Sequence, residues 1–306
     1  MRPRLVNKPS LVVRVLLLAD THIGYDWPLR PRVRRRRRGP DFLEQFRRAL
    51  QPARDGRVDL VVHGGDLLHR PRLPATIVQA ALAPLLEVAE RGIPVFLVPG
   101  NHERSRIPFP LLAGHRNLHV FHRPHTFRVG DVAVSGFPFA RRVDFAARIE
   151  ATGWRDHDAP LRLLCVHQAF PGARVGVQDF MFRRGPDVVP QGAIPAGFDA
   201  VLSGHIHRAQ AVAGFPAPVL YPGSVERTSF AEREETKGYL IVDVGAETTW
   251  RFVPLEARPM YILRADEVDR LRTLPPDAVV RVEGIPTDRL RRLAPPTMNV
   301  SIARGR

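Results

Sequence analysis

The sequence predicts an α/β fold, and three observations carry that reading. Short apolar runs of strand length recur along the chain. Amphipathic stretches of helical period separate the first of them, and the early runs end in turns rich in Gly, Asp, Asn or His. Strand, helix, strand, helix, strand implies βαβ crossovers and therefore parallel pairing. In such sheets the functional site lies beyond the carboxyl ends of the strands.

Val12–Ala19 reads as a fully buried strand that delivers Asp20-Thr21-His22. Residues two apart in extended chain point the same way, so Asp20 and His22 can grip one ion. Gly24 to Gly39 follows as a loop containing Arg34, Arg35, Arg36, Arg37 and Arg38. That run is either a solvated charge cluster or a loop that contacts phosphates. Asp41 is placed to N-cap a helix whose apolar face is Phe42, Phe46, Ala49 and Leu50.

Leu60–His63 is the second strand and presents Gly64-Gly65-Asp66, with His69 three residues on. Taken alone, this segment reads equally well as a βα turn with a capping Asp. A helix over about Thr76–Arg91 carries the stripe Ile77, Ala80, Ala81, Leu85 and Val88. Ile93–Val98 is the third strand, and Gly100-Asn101-His102-Glu103 hangs from its end. Asn is a competent neutral oxygen ligand, and a His beside it can protonate a departing oxygen. Arg104 joins the arginine run as a candidate nucleic-acid contact.

Short pieces at Val120-Phe121, Phe127–Val129 and Val132–Ser135 suggest a second, antiparallel sheet packed on the first. A helix is expected over Asp144–Ala151, then a strand over Leu161–Val166 that ends in His167. Cys165 inside it reads as a small buried hydrophobe. Phe170–Gly197 is a long loop flanking the site, and Ala200–Ser203 is a strand ending in Gly204-His205-Ile206-His207. Val219–Tyr221, Tyr239–Val244 and Trp250–Val253 are assigned to the second sheet. Ser224 lacks the elbow of a nucleophilic serine. Beyond Pro259 the pattern changes to short pieces at Tyr261–Leu263, Asp266–Arg272, Val279–Val282, Thr287–Leu293 and Asn299–Ile302. They predict an α+β appendage over residues 258–306, after a main domain over residues 1–257.

A chain of 306 residues that is 44% hydrophobic can bury a large core without staples. A single cysteine rules out an intrachain disulfide framework and suits a cytoplasmic setting. The apolar runs are too short to span a bilayer, and the N-terminus lacks a signal-type cleavage region. The formal charge of +15 favours a polyanionic partner. Because lysine occurs only at Lys8 and Lys237, arginine-rich composition accounts for much of that charge.

The candidate ligands therefore arrive in order, each at a strand end: Asp20, His22, Asp66, Asn101 with His102, His167, His205 and His207. Mixed carboxylate, amide and imidazole donors suit Mn, Fe, Zn or a mixed pair rather than Ca. Two such ions about 3.5–4 Å apart clamp a phosphoryl group and activate water at neutral pH.

Asp20-x-His22, Gly65-Asp66, Gly100-Asn101-His102-Glu103, His167 and Gly204-His205-x-His207 resemble the five signature blocks of the calcineurin-like metallophosphoesterases. Ala19–Gly24, Asp41-Phe42-Leu43, His63–His69, Tyr221–Ser224 and Lys237-Gly238 further resemble the SbcD-type exonucleases of DNA repair. The resemblance implies a four-layer α/β/β/α sandwich with a dinuclear site, most simply for two Mn²⁺, with Fe, Zn or a mixed pair as alternatives. It implies one ion held by Asp20, His22 and His207, another by Asn101, His167 and His205, and Asp66 between them. His102 resembles the group that protonates the leaving oxygen, and His69 a histidine that positions the phosphate in the nuclease branch. The implied function is a phosphodiesterase, a DNA exonuclease or endonuclease. The alternatives are a metallophosphatase or small-molecule (cyclic nucleotide) phosphodiesterase, and a non-catalytic scaffold. DNA is the implied partner and a homodimer is compatible with the sequence. The SbcD-type enzymes carry a longer cap and helices that dock on an SMC-like ATPase. Only about 50 residues follow Pro259 here, which predicts an abbreviated cap and leaves an SMC-like ATPase a possible partner but a doubtful one.

Overall fold

A computed structural model of the chain describes residues 11–27, 37–103, 107, 112, 114–284, 290 and 292–303. The first sheet is built on β1 (Val13–Leu18), β2 (Leu60–His63), β3 (Val95–Leu97) and β4 (Leu118–Val120), all parallel. Helices α1 (Gly39–Ala49), α2 (Gln51–Arg54) and α3 (Ala75–Glu90) lie along the connections. The chain then forms the hairpin β5 (His125–Val129) and β6 (Val132–Gly136), helix α4 (Phe145–Glu150) and strand β7 (Leu161–Val166). Asp144 caps α4, accepting the Ala147 N–H at 3.0 Å.

Next come a two-stranded hairpin, β8 (Arg174–Val175) and β9 (Phe180–Met181), and strands β10 (Ala200–Ser203), β11 (Gln210–Val212) and β12 (Val219–Tyr221). Strands β13 (Lys237–Val244) and β14 (Thr248–Leu255) complete the main body. The two six-stranded sheets run β14-β13-β1-β2-β3-β4 and β11-β12-β10-β7-β6-β5.

The sheets stack face to face with helical layers outside, giving the four layers expected. Period-two alternation sorts each strand between two cores. Val15 and Leu17 of β1 meet Leu163, Cys165, Leu202 and Leu220 between the sheets. Leu16 and Leu18 instead pack under the helices against Phe42, Phe46, Leu85 and Val88. On the far side, Leu164, Val166 and Val201 lie beneath Phe145, Ile149 and Trp154. Both faces of the central strands are therefore buried, which is why their sequences are continuous apolar runs. Burial pushes the Cys165 thiol far up, leaving it an inert core residue.

Several expectations are corrected. The second sheet is mixed, with β6, β7, β10 and β12 mutually parallel, because crossovers rather than hairpins connect them. Strand β4 belongs to the first sheet, beside β3. Strands β13 and β14 also join the first sheet, β13 lying antiparallel to β1. Leu240, Val242 and Val244 fill the space between the sheets and Tyr239 and Ile241 the helical side, so β13 is buried on both faces like its neighbour. Asp41 does not cap α1, which starts two residues earlier. Its carboxylate instead takes the Arg258 guanidinium in a buried ion pair at 2.8 Å. The loop expected over Phe170–Gly197 contains the β8–β9 hairpin.

The last segment makes its own parallel sheet from β15 (Met260–Arg264), β16 (Val279–Glu283) and β17 (Asn299–Ala303). The stretch expected as a helix over Asp266–Arg272 is a 3₁₀ helix, Ala265–Arg272. Its Val268 and Leu271 pack with Leu263, Val280 and Val282 in a separate small core. Most of the helix expected over Thr287–Leu293 lies outside the described residues. No helix among the described residues is long and apolar enough to cross a membrane.

Candidate metal centre

Both sheets point the carboxyl ends of their central strands to one edge, and every predicted ligand arrives there. The loops after β1 and β2 continue to pair past the strands, Asp20 N–H donating to Gly65 O at 2.8 Å and His22 N–H to Asp66 O at 3.0 Å. The loops come so close, both between the two sheets and within the first, that side chains are excluded. A Cβ on Gly65 would overlap the His167 ring, and one on Gly100 would overlap the Asp66 carboxylate.

The backbone is strained at the site. Asp20, His22, Asp66 and His205 all adopt positive φ, at 52°, 45°, 51° and 82°. L-residues hold that conformation only where the surroundings over-determine it, characteristically at functional sites.

The structure brings all the predicted ligands together. His22 Nε2 and His207 Nε2 face each other at 3.1 Å, with Asp20 Oδ1 3.9 Å from His207 Nε2. Asn101 Oδ1 lies 3.0 Å from both His167 Nε2 and His205 Nδ1. Asp66 Oδ2 is 3.4 Å from His167 Nε2 and 3.8 Å from His102 Nε2. Donor atoms of Asp20, His22 and His207 lie within 4.8 Å of one another, as do those of Asp20, Asp66 and His167, and those of His22, His69 and His102. Four imidazoles, two carboxylates and an amide oxygen whose donor atoms converge this closely are suitable as cation ligands. The donor set fits a pair of divalent ions.

Titration behaviour follows from burial and from this crowding. Burial raises the Asp20 carboxyl to about 6. Burial acts the same way on Asp66, but the charge of His167 and its hydrogen bond hold Asp66 well below the usual carboxylate range. His167 is the counterpart. Burial opposes its charge, yet Asp66 pushes it up to about 9. His205 falls to about 3 and His69 to about 4, through burial and then the neighbouring His167 or His102 charge.

His102 and His69 lie side by side. His102 Nδ1–H donates to His69 O at 2.8 Å, and the His102 backbone N–H donates to Asp66 Oδ1 at 2.9 Å. These bonds turn His102 Nε2 toward Asp66. His69 Nδ1 is 3.4 Å from His22 Nδ1.

Three carboxylates beside these donors were given no role from the sequence. Glu103 is fully buried, and its two oxygens accept the Leu68 and Gly100 N–H groups at 2.9 and 2.6 Å, tying the β2 and β3 loops together. Burial and the Asp66 charge raise it to about 8. Asp187 Oδ2 approaches His205 Nε2 at 3.6 Å, and Glu232 Oε1 holds His207 Nδ1 at 3.1 Å. Orienting carboxylates behind metal-binding imidazoles are a recurrent device. For Asp187 and Glu232 no local motif announces the role.

The arginine run divides. Arg34, Arg35 and Arg36, like Arg104, lie outside the described residues. Arg38 is turned inward, donating to Arg227 O at 2.6 Å and Glu226 Oε1 at 3.3 Å and lying 5.2 Å over the Tyr25 ring. With its side chain 11% exposed, Arg38 has a structural role in place of the expected nucleic-acid contact.

A four-layer α/β/β/α sandwich with this donor set at the shared carboxyl edge defines a phosphoesterase of the dinuclear-metal type. Residues 13–209 match the calcineurin-like phosphoesterase family model, and the chain belongs to that family. It is 32% identical over 272 residues to the DNA double-strand break repair protein Mre11 of Haloferax volcanii, covering 83% of this chain and 55% of that one. The Mre11 protein of Methanopyrus kandleri is 28% identical over 273 residues, with 80% and 57% covered. The chain thus spans just over half the length of these curated relatives. Among solved structures, the TT1561 protein of Thermus thermophilus superposes with a TM-score of 0.48 at 14% identity, over 79% of this chain and 99% of that one.

Proposed function

We propose that this chain is a metal-dependent phosphodiesterase that cleaves DNA, in the service of repair. The observation that carries the chemistry is the convergence of Asp20, His22 and His207 on one side, and Asn101, His167 and His205 on the other, around Asp66. DNA as substrate is supported by the name shared by the curated relatives and by the histidine at position 69. We take residues 1–257 as the catalytic unit and residues 258–306 as a cap-like appendage, supported by its separate sheet and core.

Asp20, His22 and His207 would hold one ion, Asn101, His167 and His205 the other, with Asp66 shared. Mn²⁺ is the pair proposed here, with Fe, Zn or a mixed pair also suited to this mixed oxygen and nitrogen donor set. The bound pair would supply Lewis acidity toward the phosphate and a water acidified enough to react at neutral pH. The remaining work falls to the chain itself. His102 is held by its Nδ1–H bond to His69 O, which leaves Nε2 facing the site, and in the imidazolium form the Nε2 proton would pass to the departing ester oxygen, returning the ring to neutrality. His69, kept neutral, can donate to a phosphate oxygen without adding charge. Glu103 holds the loops carrying Asp66 and Asn101 in register.

Loading the site must displace the His167 proton. Protons compete with the ion, so Mn²⁺ affinity is expected to climb with pH until His167 titrates at about 9, and to level off above it. Calorimetry in buffers of different ionisation heat reads the released proton directly. An affinity independent of pH below 9 would contradict a protonated His167.

The substrate is tested side by side with Mn²⁺ at one salt concentration. Linear duplex DNA, single-stranded DNA, a cyclic nucleotide and a phosphomonoester are compared. Cleavage of DNA in preference to the small esters is expected, and turnover confined to the monoester would replace the nuclease reading with a phosphatase.

A further inference from the structure

Behind His207 lies an arrangement that links the metal centre to the C-terminal appendage. Glu232 Oε1 holds His207 Nδ1 at 3.1 Å. The carboxylate is itself fixed from three sides. Lys237 Nζ, fully buried, donates to Glu232 Oε2 at 2.8 Å, to Glu235 Oε2 at 2.8 Å and to the His207 carbonyl at 2.9 Å. The Thr228 hydroxyl donates to Glu232 Oε1 at 2.5 Å, and the Thr228 N–H to Oε2 at 3.2 Å.

Glu232 ends a single 3₁₀ turn, Phe230–Glu232. At three residues per turn, side chains two apart are separated by about 120° and leave different sides of the turn. Glu232 thus faces the metal centre while Phe230 faces away, into the appendage. There Phe230 packs with Met260 and Val279, each less than a tenth exposed, and the Arg281 guanidinium sits 4.4 Å over its ring. Arg258 fastens the same junction, donating to Asp277 O at 2.5 Å and Thr297 O at 3.1 Å and pairing with Asp41 at 2.8 Å. Arg227, next to Thr228, reaches the Arg258 carbonyl at 3.1 Å.

We propose that the appendage is a strut for the metal centre: its seating on Phe230 positions Glu232, Glu232 positions His207, and the affinity of the Asp20–His22–His207 ion is thereby set by the appendage. The inference rests on the ligand assignment proposed above. It makes Glu232 and Phe230 positioning residues. It also predicts an asymmetry, because the structure shows no equivalent path from the appendage to Asn101 or His205 among the described residues. Anything that lifts the appendage, such as a partner or substrate bound there, would weaken one ion and spare the other.

The experiment is Mn²⁺ titration of the whole chain by calorimetry, with elemental analysis of the ions retained. Glu232→Ala is expected to weaken one of two ions by about 10–100-fold, the usual effect of losing an orienting partner, and to leave the second unchanged. Glu232→Gln, which keeps an acceptor for His207, should recover much of the loss. Phe230→Ala should reproduce the asymmetric pattern from the appendage side. Arg281→Ala, which removes only the cation over the ring, should do so more weakly and guards against a Phe230→Ala variant that does not fold. Two ions bound normally in Glu232→Ala, or equal weakening of both, would overturn the strut. A wild-type chain that binds fewer than two ions would overturn the ligand assignment, and the strut with it.

Discussion

Asp66→Ala is expected to strip both ions from the protein and to lower turnover on the order of 10³-fold or more. That figure follows from the several kcal/mol that Lewis-acid stabilisation supplies, at about 1.4 kcal/mol per factor of ten in rate. Asp66 is 2% exposed, and its carboxylate stands between the two groups of donors. Its other oxygen accepts the His102 backbone N–H at 2.9 Å, so the same substitution also frees the loop that carries His102. Asp66→Asn keeps the shape and the acceptor while removing the charge, and should retain fold yet lose most metal. Elemental analysis finding two ions per chain in Asp66→Ala would remove Asp66 from the shared position.

His102→Ala is expected to do the opposite to the metal and nearly as much to the rate. The two ions should remain, since the ring is held by the His69 carbonyl and by its approach to Asp66 rather than lying among the Asn101, His167 and His205 donors. Turnover on DNA should fall by about 10²–10⁴, the range for loss of a positioned general acid. The defect should shrink on an aryl phosphodiester, whose leaving group departs without a proton. A variant equally impaired on both substrates, or one cleaving DNA at near-normal rate, would take His102 out of the acid role.

These two residues were visible in the sequence because the information that places them is local. Strands buried on both faces leave unbroken apolar runs, and Leu60–His63, Leu161–Val166 and Ala200–Ser203 are found with the bounds expected. The Gly-led turns after Leu60–His63 and Ala200–Ser203 are equally local, since their glycines, carboxylate and histidines directly follow the strands in the chain. What failed was long-range. β13 was assigned to the wrong sheet because its pairing with β1 joins segments more than 200 residues apart and leaves no mark on either. Asp41 had the form of a helix cap and became half of an ion pair with Arg258, a partner 217 residues away. Arg38 had the form of a solvated charge and is packed over Tyr25.

By itself the sequence determined the layered α/β class and which side chains are chemically competent to hold ions, since each depends on residue type and short spacing. The tertiary structure decided which donors face one another, the positive φ forced on Asp20, His22, Asp66 and His205, and the pairing of Asp66 with His167 that sets their protonation. It alone placed Glu232 behind His207 and Phe230 against the appendage. Those relations are made by packing between segments distant in the chain, where burial removes water and lets one neighbour decide the charge of another.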